Sequence, residues 1–330
     1  MFKKVLIGII SGLLLIGLLW LYLVDFSRGK KIEFGVSFSA KYAKELNLNP
    51  YQALTDLLDD LRVRKFRLMA YWDEIEKVKD DFNFTELDWQ IKEIAKRGGQ
   101  AVLALGQRLP RWPECHRPAW MATLTNFEQQ QELLAFIKAV ILRYQNQSAI
   151  IAWQVENEPF LKVFGECPDL DKNFYKSEVD LVRSLDHRPV VITESGEIST
   201  WLRAAKLADY VGTSVYRMTW NRHWGYFYYP QPPSYYYLKA RVVKSITPVK
   251  DIFVSEMQME PWLGKPILQA PLKEQFHSMN LKKFQKNIKY IKKTGLSPVY
   301  LWGAEWWYWL KQQGDGSIWD SAKTLWQENI

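Results

Sequence analysis

Two glutamates stand at the ends of apolar segments that have the character of buried parallel strands. The first segment, Ala149–Phe160, is apolar and partly β-branched and stops abruptly in Asn157-Glu158-Pro159. The second, Asp251–Met257, also leads into a carboxylate, Glu256. Because parallel strands end at the same edge of a sheet or barrel, we expect the two carboxyl groups to share a site. Such a pair can perform acid/base and nucleophilic chemistry on a glycosidic bond.

The elements that must position these glutamates alternate regularly between strand and helix patterns. Eight strands are predicted, over Ile32–Phe38, Lys65–Trp72, Gln100–Gly106, Ala149–Phe160, Pro189–Thr193, Asp209–Tyr216, Asp251–Met257 and Pro298–Trp302. Amphipathic helices are predicted between them, over Pro50–Leu61, Leu87–Arg97, Phe127–Tyr144, Phe174–Leu185, Thr200–Leu207, Leu238–Ser245 and Leu281–Lys293. The alternation predicts an α/β fold, a (β/α)8 TIM barrel over residues 32–330. A doubly wound open sheet is disfavoured, since no glycine-rich turn follows the first strand.

Residues 1–31 predict a membrane anchor in front of the barrel. Val5–Val24 contains no charged residue and is long enough to cross a bilayer as a transmembrane helix. No small-residue cleavage pattern follows it, so we expect the segment to remain attached. With the barrel on the outer side, the protein would be a single-pass membrane protein with an extracytoplasmic catalytic domain.

Charge and metal-ligand patterns do not indicate other partners. The formal net charge is +8, but residues 1–31 alone carry five basic residues against Asp25, which leaves 8 − 4 = +4 on the other residues. No lysine or arginine stripe predicts nucleic-acid binding, and no Cys/His spacing predicts a metal site. No Gly-x-Ser-x-Gly elbow is present, which argues against a serine hydrolase. We expect neither a metal nor a cofactor.

Cysteines and aromatic residues point to the loops at the barrel mouth. Cys115 and Cys167 both follow predicted strands, so they form either one disulfide outside the cytoplasm or two free thiols. Many aromatic residues lie between predicted elements, which suggests either a surface that stacks on sugar rings or a loop layer that packs on itself. These residues include Trp112, Trp120, Trp220, Trp224, Tyr226–Tyr229, Tyr235–Tyr237 and Trp306–Trp309.

Two short motifs make the sequence resemble a clan A glycoside hydrolase. The families that it resembles most are the cellulase-like ones, such as glycoside hydrolase family 5. The segment Trp153–Pro159 is similar to the strand-4 Asn-Glu-Pro signature, and Val254-Ser255-Glu256 to the strand-7 nucleophile. The resemblance implies a retaining β-glycosidase acting on an extracytoplasmic polysaccharide or oligosaccharide. Glu158 would be the acid/base and Glu256 the nucleophile in a double displacement.

The same resemblance implies four substrate-binding or supporting residues. Arg67 would keep Glu256 ionised, Tyr216 would orient it, Asn157 would hold the sugar 2-hydroxyl, and Trp302 would form the floor beneath the reacting sugar. The sequence departs from the family in Thr213-Ser214-Val215-Tyr216, where many members carry His-x-Tyr.

Several alternatives stay open at this level. Strict alternation along the strand places Glu156 and Glu158 on one side and Asn157 on the other, so Asn157 and Glu158 share a site only if the strand end curls. Three further carboxylates of the same barrel face, Glu194, Glu197 and Glu305, bind either substrate hydroxyls or basic side chains. The alternative functions are a transglycosylase with the same residues and a non-catalytic glycan-binding barrel.

Overall fold

The computed structural model describes residues 19–327, together with positions 6, 11, 12 and 17. Eight parallel strands close into a barrel in sequential order, which confirms the predicted (β/α)8 fold. We number only the barrel strands: β1 (Phe34–Ser37), β2 (Lys65–Met69), β3 (Gln100–Leu105), β4 (Ile150–Val155), β5 (Val190–Glu194), β6 (Tyr210–Val215), β7 (Asp251–Gln258) and β8 (Val299–Trp302).

Twelve helices surround the barrel in the described part of the chain. The seven predicted ones are present and match to within a few residues at most ends, and five more were not predicted. They are α1 (Ala40–Glu45), α2 (Pro50–Asp59), α3 (Trp72–Ile75), α4 (Thr85–Lys96), α5 (Asn126–Tyr144), α6 (Lys172–Leu185), α7 (Leu202–Leu207), α8 (Pro233–Ile246), α9 (Leu272–Ser278), α10 (Leu281–Lys292), α11 (Ala304–Gln312) and α12 (Ser317–Gln327). An antiparallel hairpin, Met218–Asn221 with Gly225–Tyr228, occupies part of the predicted aromatic loop after β6.

The prediction that aromatic clusters lie in loops is wrong at two places. Tyr235–Tyr237 belong to α8, which begins at Pro233, since a proline is well suited to the first helical turn. Trp306–Trp309 belong to α11, and Trp306 and Trp307 are fully buried there. The Trp306 and Trp307 rings pack in the core between α11 and its neighbours, so they cannot contact a sugar.

Alternation along each strand divides the core into two parts. Outward-facing residues join the large cluster between sheet and helices, as Leu103 and Trp153 do. The inward-facing residues of five strands form a separate apolar cluster, made of Val102, Ala152, Val191, Phe253 and Tyr300. This inner cluster fills the barrel beneath the polar side chains of its mouth.

A β-bulge interrupts this alternation on β7. Thr213 of β6 pairs with Val254, but Ser214 pairs with Glu256, so Ser255 is the extra residue. Val254 faces the outer core, and strict alternation would send Glu256 to that side as well. The extra residue turns Glu256 into the barrel mouth and returns Met257 to the outer core.

Half of the predicted transmembrane segment, Val5–Val24, lies outside the described residues. Within the described part of the chain, no helix has both the length and the apolar character needed to span a bilayer.

Candidate active site

Glu256 lies at the barrel mouth and is bonded there by two side chains, Arg67 and Tyr216. Arg67 Nη1 donates to its Oε1 at 2.6 Å, and Tyr216 OH donates to its Oε2 at 2.8 Å. Burial, and then the Glu256 carboxylate, raise the pKa of Tyr216 well above its usual range, so the phenol keeps its proton. These two bonds, one to each carboxylate oxygen, fix the orientation of Glu256.

Arg67 joins the nucleophile strand to the end of β4. The guanidinium is fully buried and also donates from Nε to Gln154 Oε1 at 2.6 Å and from Nη2 to Asn157 Oδ1 at 2.8 Å. Gln154 therefore helps to hold Arg67 in the site. Each of the three nitrogens is used, and a lysine could not make the same set of contacts.

The end of β4 curls, as the sequence required for Asn157 and Glu158 to share a site. Glu156 and Glu158 both adopt left-handed backbone angles, with φ of 58° and 43°. Such angles are uncommon for non-glycine residues and break the alternation of the strand. Asn157 consequently reaches Arg67, while Ser214 Oγ donates to Glu158 Oε1 at 2.7 Å.

The same curl removes Glu156 from the barrel mouth. Its carboxylate accepts from the backbone N–H groups of Gln107 and Arg108. It also pairs with Glu178 of α6, where burial raises the pKa of both carboxyl groups. Glu156 thus supports the loop that follows β3, residues 106–118, which we call the β3 loop. Glu158 is the glutamate that lies near Glu256.

The environment of Glu158 favours its protonated form. Only 8% of Glu158 and 5% of Glu256 are exposed. Burial raises the pKa of Glu158 well above its usual range, and the nearby Glu256 carboxylate raises it further. The site therefore places a carboxyl group that favours its proton beside the Glu256 carboxylate, which is bonded to Arg67 and Tyr216. Ser214, at the position where many family 5 members carry a histidine, supplies the hydrogen bond that Glu158 accepts.

Glu114 is a third buried carboxyl group in the site, and the sequence analysis did not identify it. It accepts from Asn157 Nδ2 at 3.0 Å. Burial and the Glu256 carboxylate raise the pKa of Glu114 to about 8, so it is mainly protonated at neutral pH. The neighbouring Cys115 forms a disulfide with Cys167, which decides between the two predicted states of the cysteines and ties the β3 loop to the β4 loop.

Trp302 lies at the barrel mouth, but one face of its ring is already covered. The Arg111 guanidinium stacks between the Tyr42 and Trp302 rings, 3.5 and 3.8 Å from their centroids. Arg111 also pairs with Glu260, which follows β7, and with Glu305, at 3.0 Å, which follows β8. The β3 loop thus crosses the barrel mouth above β2, β1 and β8. Only the opposite face of Trp302 remains available for a sugar.

The other two candidate carboxylates bond to groups of the protein itself. Glu197 accepts from the Tyr216 backbone N–H at 2.8 Å and from Tyr236 OH at 2.8 Å, so it supports the residue that holds Glu256. Glu194 accepts from Ser199 Oγ. Glu305 forms an ion pair with Arg111, which is the predicted pairing with a basic side chain, whereas Glu194 and Glu197 accept hydrogen bonds from hydroxyl and backbone groups of the protein.

Aromatic side chains from three loops roof the site. Trp262, after β7, lies edge-on to Tyr216 with ring centroids 5.0 Å apart, and its ring is 5.2 Å from Phe164 of the β4 loop. Phe164 also contacts Trp112 of the β3 loop, which is largely exposed. These ring contacts join the loops after β3, β4 and β7 beside Tyr216, the residue that bonds to Glu256. In the described part of the chain, no cluster of three or more His, Cys, Asp or Glu side chains could hold a metal ion.

No protein-family model matches the sequence, and no curated protein matches it. Solved structures of glycoside hydrolases do resemble the fold. A family 5, subfamily 18 protein from Streptomyces cattleya, in complex with GlcNAc, is 11% identical with a TM-score of 0.56, covering 82% of this chain and 70% of its own. A variant of a subfamily 18 protein from Bifidobacterium longum subsp. longum, in complex with Manβ1-4GlcNAc, is 11% identical with a TM-score of 0.58, covering 82% and 68%.

A third similar structure comes from another glycoside hydrolase family. The family 10 endo-β-1,4-xylanase from Gloeophyllum trabeum is 17% identical with a TM-score of 0.54, covering 85% of this chain and 86% of its own. All three proteins are glycoside hydrolases of clan A, the clan that the sequence motifs resemble. At these identities the likeness establishes a shared barrel fold, and the chemistry has to be argued from the site.

Proposed function

We propose that the protein is a retaining β-glycosidase, with Glu158 as acid/base and Glu256 as nucleophile. The observation that carries the proposal is the contrast between the two carboxyl groups. Arg67 and Tyr216 each bond to one oxygen of the Glu256 carboxylate, while burial and that carboxylate favour the proton on Glu158. This division of roles is what a double displacement at an anomeric carbon requires.

In the first step, Glu256 Oε attacks the anomeric carbon while Glu158 transfers its proton to the glycosidic oxygen. The bond to the leaving group breaks, and a glycosyl ester of Glu256 forms. In the second step, the Glu158 carboxylate removes a proton from water, the water oxygen attacks the anomeric carbon, and Glu256 leaves. Asn157 would bind the sugar 2-hydroxyl and strengthen that contact as charge develops on the ring.

We further propose that the substrate is cleaved at a chain end. The acid/base lies on the leaving-group side of the scissile bond, so the retained sugar lies towards Trp302. On that side Arg111, Glu260 and Glu305 form a buried wall across the mouth. Arg111, Glu260 and Glu305 are themselves buried, so the wall leaves no open passage between its members. A second sugar beyond the wall would collide with it.

The proposed setting is an extracytoplasmic barrel attached to the membrane by residues 1–31. The charge-free segment Val5–Val24 supports the anchor. The Cys115–Cys167 disulfide supports an oxidising compartment, because disulfides are rare in the cytosol.

A pair of isosteric variants tests the proposed chemistry. Aryl β-glycosides and oligosaccharides are incubated with the wild type, with Glu256→Gln and with Glu156→Gln. Loss of hydrolysis in Glu256→Gln together with retained hydrolysis in Glu156→Gln supports the assignment. Full activity of a folded Glu256→Gln protein would show it to be wrong. Product analysis of reducing-end-labelled chains separates single-sugar release from internal cleavage.

A further inference from the structure

Helix α8 exposes an apolar stripe on the outside of the barrel. Leu238, Val242 and Ile246 are spaced four residues apart and are 47%, 58% and 62% exposed. Residues at this spacing lie on one side of a helix. Single exposed apolar residues are ordinary, but a contiguous row of them marks a surface that contacts something other than water.

The neighbouring helix, α10, exposes a stripe of lysines. The two helices are adjacent, with the Tyr236 and Tyr290 rings 6.4 Å apart. Lys282, Lys286 and Lys289 are exposed, lie at spacings of four and three, and form no ion pair with any described acidic side chain. The sequence from 279 to 297 contains six lysines and no acidic residue.

The N-terminal segment enters the domain between these two helices. The Phe26 ring stacks on Tyr237 of α8 at 4.3 Å, and its backbone N–H donates at 3.0 Å to the carbonyl of Lys293, directly after α10. Leu19, Trp20 and Leu23 are exposed just before this contact. In the sequence, no charged residue occurs from there back to Val5.

We propose that this flank, formed by the outer faces of α8 and α10, lies on an anionic lipid bilayer. The apolar stripe would enter the headgroup boundary, and the lysines would bind lipid phosphates. Charge complementarity favours a lipid surface, and the charge-free segment that joins the domain here leads towards one. Exposed Arg28 and Lys30, next to Phe26, add two more cations. Each lysine at such a surface strengthens docking by about fivefold.

Docking on this flank would orient the barrel. Both helices run along the outside of the barrel wall, so the barrel axis would lie roughly parallel to the bilayer. The mouth would then open sideways along the membrane surface. This inference does not depend on the roles of Glu158 and Glu256.

Lysine footprinting of the full-length chain tests the proposal. The protein is reconstituted singly in nanodiscs of phosphatidylcholine, with or without about one-third phosphatidylglycerol, and pulsed with an amine-acetylating reagent. Peptide mass spectrometry then gives the labelling rate of each lysine. Three lysines on the far side of the barrel, Lys92, Lys96 and Lys138, are exposed and serve as internal controls.

The proposal predicts that Lys282, Lys286 and Lys289 label at least about fivefold more slowly in anionic discs. Raising the salt concentration should restore the rate. Replacing Leu238 and Val242 by serine should relieve the protection, while Leu142→Ser, at an exposed apolar position on the far side, should not. Equal rates in both kinds of disc would overturn the proposal. So would protection in lipid-free detergent, which would show that another copy of the chain covers the flank.

Discussion

Arg67 and Glu256 form the ion pair on which the geometry of the site depends, with Nη1 and Oε1 2.6 Å apart and both side chains buried. The remaining nitrogens of Arg67 hold Gln154 and Asn157, so one guanidinium sets the distance between the ends of β4 and β7. The proposed acid/base, Glu158, follows β4, and the proposed nucleophile, Glu256, lies near the end of β7.

Replacing Arg67 by methionine should damage stability and activity together. A buried carboxylate that loses its cation costs about 3–5 kcal/mol of folding free energy. Glu256 would also lose one of the two bonds that orient it, so kcat should fall. Urea unfolding and steady-state kinetics measure the two effects. Arg62→Met, at an exposed position before the same strand, should change stability by less than about 0.5 kcal/mol.

Replacing Glu158 by glutamine should slow hydrolysis in a way that depends on the leaving group. A general acid contributes about 10²–10⁴-fold, so glycosides of poor leaving groups should lose that factor. Glycosides of dinitrophenol need no proton and should still form the glycosyl-enzyme. Stopped-flow detection of a dinitrophenolate burst checks this. An equal loss for both kinds of substrate would exclude Glu158 as the acid.

The raised pKa of Glu158 also fixes the sign of the pH dependence. Activity requires the protonated acid, so kcat/KM of the wild type should fall as pH rises through the pKa of Glu158. Glu158→Gln should lack this basic limb. A basic limb that persists unchanged in the variant would belong to another group.

Much of this architecture could be predicted from the sequence, because periodicity reports which residues are buried. The eight strands and the two glutamates stand out as apolar runs that end in polar residues. The β-bulge at Ser255 and the curl at Glu156 could not be predicted, since strict alternation would point Glu256 out of the barrel and Glu156 into it. Both irregularities depend on tertiary packing of neighbouring strands.

The residues that loops bring into the site could be predicted less well than those on the strands. Glu114 and Arg111 lie in a β3 loop without a periodic pattern, and they reach the site only because that loop folds across the mouth. The rings after β8 were misplaced because Gly303, with φ of 117°, starts a helix where the sequence suggested a loop. Wrapping of long connections over a barrel is set by contacts distant in sequence.

Glu114 should make folding stability depend on pH. Burial and the Glu256 carboxylate raise its pKa to about 8 in the folded protein, from an ordinary value of 4.5. A raised carboxyl pKa gives stability that is present below about 4.5 and is lost as pH rises towards about 8. Glu114→Gln mimics the protonated form and should lose less stability over that range than the wild type. Urea unfolding between pH 5 and 8 measures the difference, with exposed Glu166→Gln as the control.

The Cys115–Cys167 disulfide should stabilise the β3 loop and, through it, the site. The bond joins residues separated by 52 positions. Replacing both cysteines by serine should cost about 2–5 kcal/mol. Because the loop carries Glu114 and Arg111, KM should also rise under conditions where the variant is folded. Unchanged stability and KM would show that the loop is held by its other contacts alone.

The most direct test of the account is to identify the residue that becomes covalently glycosylated. Full-length protein is incubated with a panel of activated 2-deoxy-2-fluoro-β-glycosides, which trap the glycosyl-enzyme, and peptides are sequenced by mass spectrometry. The account predicts a label on Glu256 with at least one sugar, and no label in Glu256→Gln. A label on Glu114, Glu158 or Glu260, or hydrolysis of the native substrate with inversion at the anomeric carbon, would contradict it.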